Sequence, residues 1–145
     1  MKKQSFLLML IAMLSLSSAH AHIEVSNYWA RLVPNGMGAL YLEIKNSHTE
    51  PDVLIRASSP NAKSLMIHET QRKDNITSMK HRMKGLDIPA NGSLSLKPGS
   101  YHIMIAGLDK NLKLGDKIEV SLEFKKSEKI TLQPILKIKP PTYTQ

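Results

Sequence analysis

The chain has 145 residues, a length that predicts a single domain. It contains no cysteine, which excludes a thiol nucleophile, a thiolate zinc site, an iron–sulfur cluster and a blue-copper centre with a cysteine ligand. Its formal net charge is +8. This charge would indicate nucleic acid binding for a cytoplasmic protein, but an exported protein does not meet that partner.

The first predicted element is a leader for export. Lys2 and Lys3 precede an apolar run over residues 6–14, and Ala19-His20-Ala21 follows as a small-residue cleavage site. The apolar run is shorter than the roughly 20 residues that a membrane-spanning helix needs, and no later stretch is long enough. We therefore expect cleavage after Ala21 and a periplasmic protein with no membrane span and no lipid-modified cysteine. Its charge would be +6, because cleavage removes two lysines and no acidic residues.

The rest of the chain predicts short strands separated by turns. In residues 118–124 every second residue is apolar, which is typical of a strand with one buried face. Strands are predicted at 23–31, 39–45, 53–58, 64–70, 76–80, 93–97, 101–106, 117–124 and 130–138. Their spacing favours an all-β sandwich or Greek-key barrel over residues 22–138. Residues 139–145 are predicted to be a flexible tail. We expect the protein to be a monomer.

A histidine and a methionine alternate with apolar residues on the predicted strand at 101–106. Successive side chains on a strand point to opposite faces. Ile103 and Ile105 would therefore face the core, while His102 and Met104 would project together from the other face. Taken alone, such a pair is more often a surface histidine beside a core methionine than a metal site.

A second pair of ligand types lies upstream. His68 and Met79 are separated by ten residues, a distance that suits a hairpin with one residue on each arm. Met66 shares a face with His68, but we interpret it as a core residue. His81 and Met83 are interpreted as loop residues without a role.

Two imidazoles and two thioethers favour one metal in particular. Thioether sulfur is a soft ligand, so His68, Met79, His102 and Met104 together match Cu(I). Zinc sites use thiolate, imidazole and carboxylate ligands, and calcium and magnesium prefer oxygen. A site without thiolate suits transfer of the ion between proteins better than electron transfer. The sequence leaves open whether Cu(II) is a second bound state.

At these residues the chain resembles the PCuAC-type periplasmic copper chaperone family. That family's signature is a His, ten residues, a Met, about 21 residues and His-x-Met, which falls on the same four residues. The similarity continues through most of the mature chain, at residues 27–31, 39–42, 57–60, 68–70, 85–90 and 96–104. The resemblance implies a cupredoxin-like β-barrel that carries Cu(I) and supplies it to the CuA centre of cytochrome c oxidase, in subunit II.

Three features depart from the family or extend it. The gap between Met79 and His102 holds 22 residues, one more than usual, so Met83 remains an alternative to Met79. The tail after Met104 contains no His or Met, so a second copper site found in the tail of some members is not expected here. Cleavage after Ala21 would also give His22 a free amino group beside its imidazole, a donor pair that can chelate Cu(II).

The sequence also bears on two other classes of function, an enzyme and a metal-free module. His68-Glu69 begins like a zincin motif, but Arg72 stands where the second histidine of H-E-x-x-H is required, and there is no G-x-S-x-G. We therefore do not expect an enzyme. The alternative is an exported β-sandwich interaction module without a metal, which composition alone would favour.

Overall fold

The computed structural model describes residues 22–139, and within them the chain forms eleven β-strands and no helix. The predicted leader at 1–21 and residues 140–145 of the predicted tail lie outside the described residues. The strands are β1 Ile23–Val33, β2 Met37–Asn46, β3 Asp52–Ser58, β4 Ala62–Lys73, β5 Ile76–His81, β6 Leu86–Ile88, β7 Gly92–Leu96, β8 Tyr101–Leu108, β9 Val120–Phe124, β10 Ile130–Leu132 and β11 Leu136–Lys137. The all-β prediction is confirmed.

The strands form two sheets. The larger sheet has the order β11-β1-β2-β8-β4-β5, with β7 paired to β2, and the smaller has the order β10-β9-β3-β6. The pairings within the sheets are antiparallel except for β1 with β11, which is parallel. Apolar side chains from both sheets form one buried cluster, which includes Leu40, Leu54, Ile88, Ile103 and Leu122.

The core fixes the direction of the other side chains on β8. Ile103 and Ile105 are fully buried in the core, so the alternating residues His102 and Met104 point to the opposite face. We call this face of the larger sheet, turned away from the core, the outer face. Truncating either isoleucine to alanine would cost about 2–5 kcal/mol, so core packing holds the outer-face residues in register.

Two predicted strands differ from the observed ones. The strand predicted at 130–138 is divided into β10 and β11, with Pro134 between them. Proline has no N–H to donate to a strand ladder, which explains the interruption. The start of the strand predicted at 117–124 is only an isolated bridge from Lys117 to Ile135. The three-residue strand β6 was not predicted.

The hairpin predicted around His68 and Met79 is present as β4 and β5. Its turn is Asp74-Asn75, whose φ angles are 50° and 62°. Two consecutive positive φ angles are typical of the type I′ turn that joins twisted antiparallel strands. β5 is the last strand at its edge of the larger sheet, and all six of its residues are exposed.

Candidate metal centre

Five ring side chains form a row across the outer face, one from each of five adjacent strands. Trp29 pairs with Tyr41, and His68 pairs with both His102 and His81. Ring centroids along the row are 4.9 Å apart for Trp29 and Tyr41 and 6.5 Å for Tyr41 and His102. They are 5.8 Å apart for His102 and His68 and 5.3 Å for His68 and His81. The pairing register alone therefore brings three imidazoles side by side.

A β-bulge places the tryptophan in this row. The register of β1 against β2 shifts between Ser26 and Trp29, where Asn27 has a φ of 50°. An extra residue at a bulge moves the following side chains to the opposite faces. Val25 packs against the core before the bulge and Ala30 does so after it. Trp29 therefore lies on the outer face beside Tyr41, although it is only 5% exposed.

Two methionines lie next to the three histidines of this row, which we call the imidazole row. Met104 is directly opposite Met66, just as His102 is opposite His68 two residues along the same strands. Both methionines are half-buried. Directly opposed residues have Cβ atoms about 4.5–5.5 Å apart. The two imidazoles and two thioethers on β4 and β8 thus form a compact rectangle on the outer face.

Met79 lies on the other side of the imidazole row from Met104. It is opposite Thr70 and shares the outer face with His81, two residues further along β5. This makes it a diagonal neighbour of His68, with Cβ atoms about 7–8 Å apart, which a long methionine side chain can span. Met79 is 57% exposed. Met83, its alternative, lies in the turn after β5 and is 82% exposed.

Two residues were misjudged from the sequence. Met66 was predicted to be a core residue, but it lies on the outer face, while its neighbours Leu65 and Ile67 pack in the core. His81 was predicted to be a loop residue, but it ends β5 directly opposite His68. Alternation with His68 was the available signal for Met66. The partner of His68 on β5 depends on the turn, which fixes the register.

The imidazole of His102 is oriented by the backbone. Its Nδ1 lies 3.2 Å from the carbonyl oxygen of Ser100 and can donate a hydrogen bond to it. This contact favours the tautomer with the proton on Nδ1, which leaves the lone pair of Nε2 free. His102 is 4% exposed. A buried, oriented imidazole with a free nitrogen is well suited to bind a metal ion.

His68 has an unsatisfied nitrogen. Its Nδ1 is buried and has no hydrogen-bond partner among the described residues. Burial lowers the pKa of His68 below the ordinary value of 6.5, and the nearby His102 and His81 lower it further through charge repulsion. Both effects favour the neutral imidazole at His68, which is the form that binds a metal.

The donor types narrow the choice of metal. Within residues 22–139, no group of three or more His, Cys, Asp or Glu side chains is arranged to hold a metal ion. The side chains next to His68 and His102 on the outer face include the thioethers of Met66 and Met104. That mixture of imidazole and thioether fits Cu(I) and does not fit zinc, calcium or magnesium.

His22, the other candidate ligand, has a histidine neighbour. The rings of His22 and His48 lie 4.5 Å apart in an edge-to-face arrangement. The Nδ1 of His48, however, accepts a hydrogen bond from the backbone N–H of Glu50 at 3.1 Å. A neutral His48 then carries its proton on Nε2, so neither nitrogen presents a free lone pair. Binding of Cu(II) at His22 therefore stays a prediction.

Comparison with known proteins identifies a family. The family model described as putative lipoprotein LpqE-like matches residues 23–135. A putative lipoprotein of Leifsonia xyli, Lxx21020, is 37% identical over 102 residues, which cover 70% of this chain and 61% of that protein. The uncharacterized protein RP573 of Rickettsia prowazekii is 27% identical over 111 residues, which cover 73% and 61%. The chain thus spans less than two thirds of the length of these relatives.

Solved structures share the fold. The copper-bound PCuAC domain from PmoF2 superposes with a TM-score of 0.66 at 22% identity, covering 81% of this chain and 94% of that domain. The Cu(I) form of DR1885 from Deinococcus radiodurans gives a TM-score of 0.62 at 26% identity, covering 83% of each chain. The predicted cupredoxin-like fold and the resemblance to the PCuAC-type family are confirmed.

In the described part of the chain, no helix has the length and apolar character needed to cross a membrane.

Proposed function

The chain belongs to the LpqE-like family of putative lipoproteins, and from this premise we propose that it is an exported copper carrier that binds Cu(I). The names of the family and of the Leifsonia relative both describe lipoproteins, which are exported proteins, and this supports export. A periplasmic location and cleavage after Ala21 are part of the proposal. Among the structures of the same fold, one is described as copper-bound and another as a Cu(I) form. The proposed cargo is the same ion.

One observation carries the proposal. His68 and His102 are cross-strand neighbours on the outer face, with Met104 beside them, and the buried Nδ1 of His68 lacks a hydrogen-bond partner among residues 22–139. An unpaired buried nitrogen costs about 1–3 kcal/mol. A bound metal ion would remove that cost. The soft sulfur of Met104 makes Cu(I) the ion that best fits the position.

The proposed ligands are His68, Met79, His102 and Met104. The first, third and fourth are already adjacent, and Met79 completes the set by extending from β5 across the diagonal to His68. Met79 is favoured over Met83 because it lies on the paired strand and on the outer face. Because all four ligands are neutral, the copper site would carry a net charge of +1. Such a charge is compatible with a position at the exposed edge of the sheet, where water can solvate it.

The ion would be carried by this protein and not used by it for catalysis. An acceptor with cysteine thiolates can take Cu(I) from imidazole and thioether, because thiolate is the stronger soft donor. The CuA centre of cytochrome c oxidase, in subunit II, is the acceptor that we propose from the family resemblance. We propose that the carrier acts as a monomer.

Anaerobic titration with Cu(I) tests the ligand set. The wild-type protein should bind one ion, and Met79→Leu combined with Met104→Leu should weaken binding at least about a hundredfold, since two of four ligands are lost, or about 2.7 kcal/mol. The affinity is measured by competition with bicinchoninate. Sulfur and nitrogen ligation should appear in X-ray absorption of the loaded protein.

Matched controls separate the ligands from other methionines. Met83→Leu and Met37→Leu remove thioethers elsewhere and should leave the affinity unchanged. If the double variant bound Cu(I) as tightly as wild type, the ligand assignment would be wrong. If the wild-type protein showed no tight 1:1 binding, the alternative of a metal-free interaction module would hold instead.

A further inference from the structure

The four proposed ligands differ strongly in exposure. His102 is only 4% exposed and Met104 is half-buried, whereas Met79 is 57% exposed. The ring of His102 is therefore less open to a partner protein than the exposed side chain of Met79. An acceptor would reach the ion more easily from the exposed side of this ligand set than beside His102 and Met104.

The β4–β5 hairpin offers more accessible ligands of the same chemical types. His68, Met79 and His81 all project from the outer face of this hairpin, with His81 directly opposite His68 and Met79 two residues away on β5. The rings of His68 and His81 lie 5.3 Å apart, slightly closer than those of His68 and His102. His81 and the rest of β5 are exposed.

The hairpin is held in this register at both ends. The type I′ turn at Asp74-Asn75 fixes one end. At the other end, the backbone N–H of Arg82 donates to the carbonyl of Ile67 at 2.8 Å, and the Arg82 guanidinium lies 3.3 Å from the Glu69 carboxylate. Glu69 lies on the face opposite His68, so this ion pair links β4 to the end of β5 without covering the imidazoles.

We propose that His68, His81 and Met79 form a second, solvent-exposed position for Cu(I), from which the ion leaves the protein. The proposal rests on the proposed function, because it concerns the route of the same ion. His68 and Met79 belong to both positions. His81 is the residue that converts the exposed arm of the hairpin into a position of two nitrogens and one sulfur.

Movement between the positions is a ligand exchange. The bonds from copper to His102 and Met104 break, a bond to the lone pair of an imidazole nitrogen of His81 forms, and the bonds to His68 and Met79 are kept. No electron moves, so the ion remains Cu(I), and no proton is released. His81 and His102 flank His68 on opposite sides, so one ion occupies either position but not both.

The rate of copper release tests the proposal. The purified protein is loaded anaerobically with one Cu(I) and mixed in a stopped-flow instrument with excess bathocuproine disulfonate, whose coloured copper complex is followed. His81→Ala should slow transfer at least about tenfold, while the equilibrium affinity for Cu(I) changes far less, by about threefold or under. Transfer at the wild-type rate would overturn the proposal. So would an affinity loss as large as that of His102→Ala, because His81 would then be a ligand of the resting site.

Two controls exclude indirect effects. Ser78→Ala alters the opposite face of β5, and His48→Ala removes an imidazole far along the chain from the hairpin. Both should keep the wild-type transfer rate. If Ser78→Ala slowed transfer as much as His81→Ala, the effect would come from the hairpin backbone and the proposal would fail.

A direct view of the exposed position comes from the His102→Ala variant. With the buried ligand removed, added Cu(I) should still shift the ring resonances of His68 and His81 in NMR spectra. A shift of His68 without His81 would contradict the proposal. These outcomes are distinct from failure of the proposed function, in which the wild-type protein binds no Cu(I) and neither histidine responds.

Discussion

His68 is the residue that connects the possible ligands of the outer face. It lies between His102 and His81 in the imidazole row and beside Met66 on its own strand. Burial and two neighbouring imidazoles lower its pKa. A lowered pKa keeps the ring neutral to a lower pH than an exposed histidine, so protons compete less with a metal at this residue.

The affinity for Cu(I) should depend on pH. We expect it to be nearly constant between pH 8 and 7 and to weaken below about pH 6, where protonated imidazole can no longer donate its lone pair. Each ligand imidazole that must lose a proton contributes up to about tenfold per pH unit below its pKa. The measurement is competition with a Cu(I) chelator whose own pH dependence is known.

The slope of the Cu(I) affinity against pH identifies which residue titrates. His68→Ala should reduce both the affinity and its dependence on pH, whereas Met104→Leu should reduce the affinity and keep the slope. A flat profile for the wild-type protein would argue against imidazole ligation.

Sequence patterns could place these side chains on faces but not opposite particular partners. Alternation correctly separated His102 and Met104 from the core residues of β8, and the structure brings them together with His68. It could not show that Met66 opposes Met104 or that His81 opposes His68. Those contacts depend on the register between strands, which long-range packing and the hairpin turn decide.

At the scale of strands, the alternation of apolar and polar residues was enough to predict most strands of the larger sheet. It failed where the backbone departs from regular pairing. The bulge at Asn27 turns Trp29 to the outer face, and one inserted residue leaves no sign in a hydrophobic pattern. β6 is too short, at three residues, to show a period. It follows a tight connection at Gly85 that crosses between the two sheets.

Gly85 should tolerate no side chain. Its φ is +81°, and a Cβ atom there would collide with the backbone carbonyl of Leu54. Gly85→Ala should therefore lower the free energy of unfolding by about 3–5 kcal/mol, from backbone strain and the clash together. Urea unfolding followed by tryptophan fluorescence of Trp29 measures the change.

Gly99 provides a matched control for strain without a clash. It has the same φ of +81°, but no atom lies within 4 Å of the position of an added Cβ. Gly99→Ala should lower the free energy of unfolding by only about 1–2 kcal/mol, because a residue with a Cβ atom is disfavoured in the left-handed conformation. Equal losses in the two variants would show that the contact with Leu54 has little effect.

At the scale of the whole molecule, a buried carboxylate ties distant parts of the smaller sheet together. Asp52, at the start of β3, is 4% exposed. It accepts hydrogen bonds from the backbone N–H groups of Val53, Lys126 and Ser127, and from the Ser127 hydroxyl. Lys126 and Ser127 lie in the turn between β9 and β10. Nothing in the local pattern around Asp52 indicated these partners, which are more than 70 residues away.

Asp52 should make folding sensitive to acid. Burial, the largest single influence, raises its pKa, but the hydrogen bonds from Ser127, Val53 and Lys126 together outweigh burial and lower the pKa below its ordinary value of 3.8. A carboxyl group whose pKa is lower in the folded state stabilises the fold above its unfolded pKa. That stabilisation is lost as the pH falls through the folded pKa. The free energy of unfolding should therefore decrease as the pH falls below about 5.

Replacing Asp52 separates its contribution from general acid effects. Asp52→Asn should destabilise the protein by about 2–4 kcal/mol at pH 7, because three backbone donors and a hydroxyl lose a charged acceptor. The difference from wild type should shrink as the pH falls and Asp52 also becomes protonated. Glu50→Gln is the matched control, since Glu50 is an exposed carboxylate that pairs with Lys126, and exposed ion pairs contribute little. Urea unfolding at pH 7, 5 and 3 would contradict this account if Asp52→Asn and Glu50→Gln behaved alike at every pH.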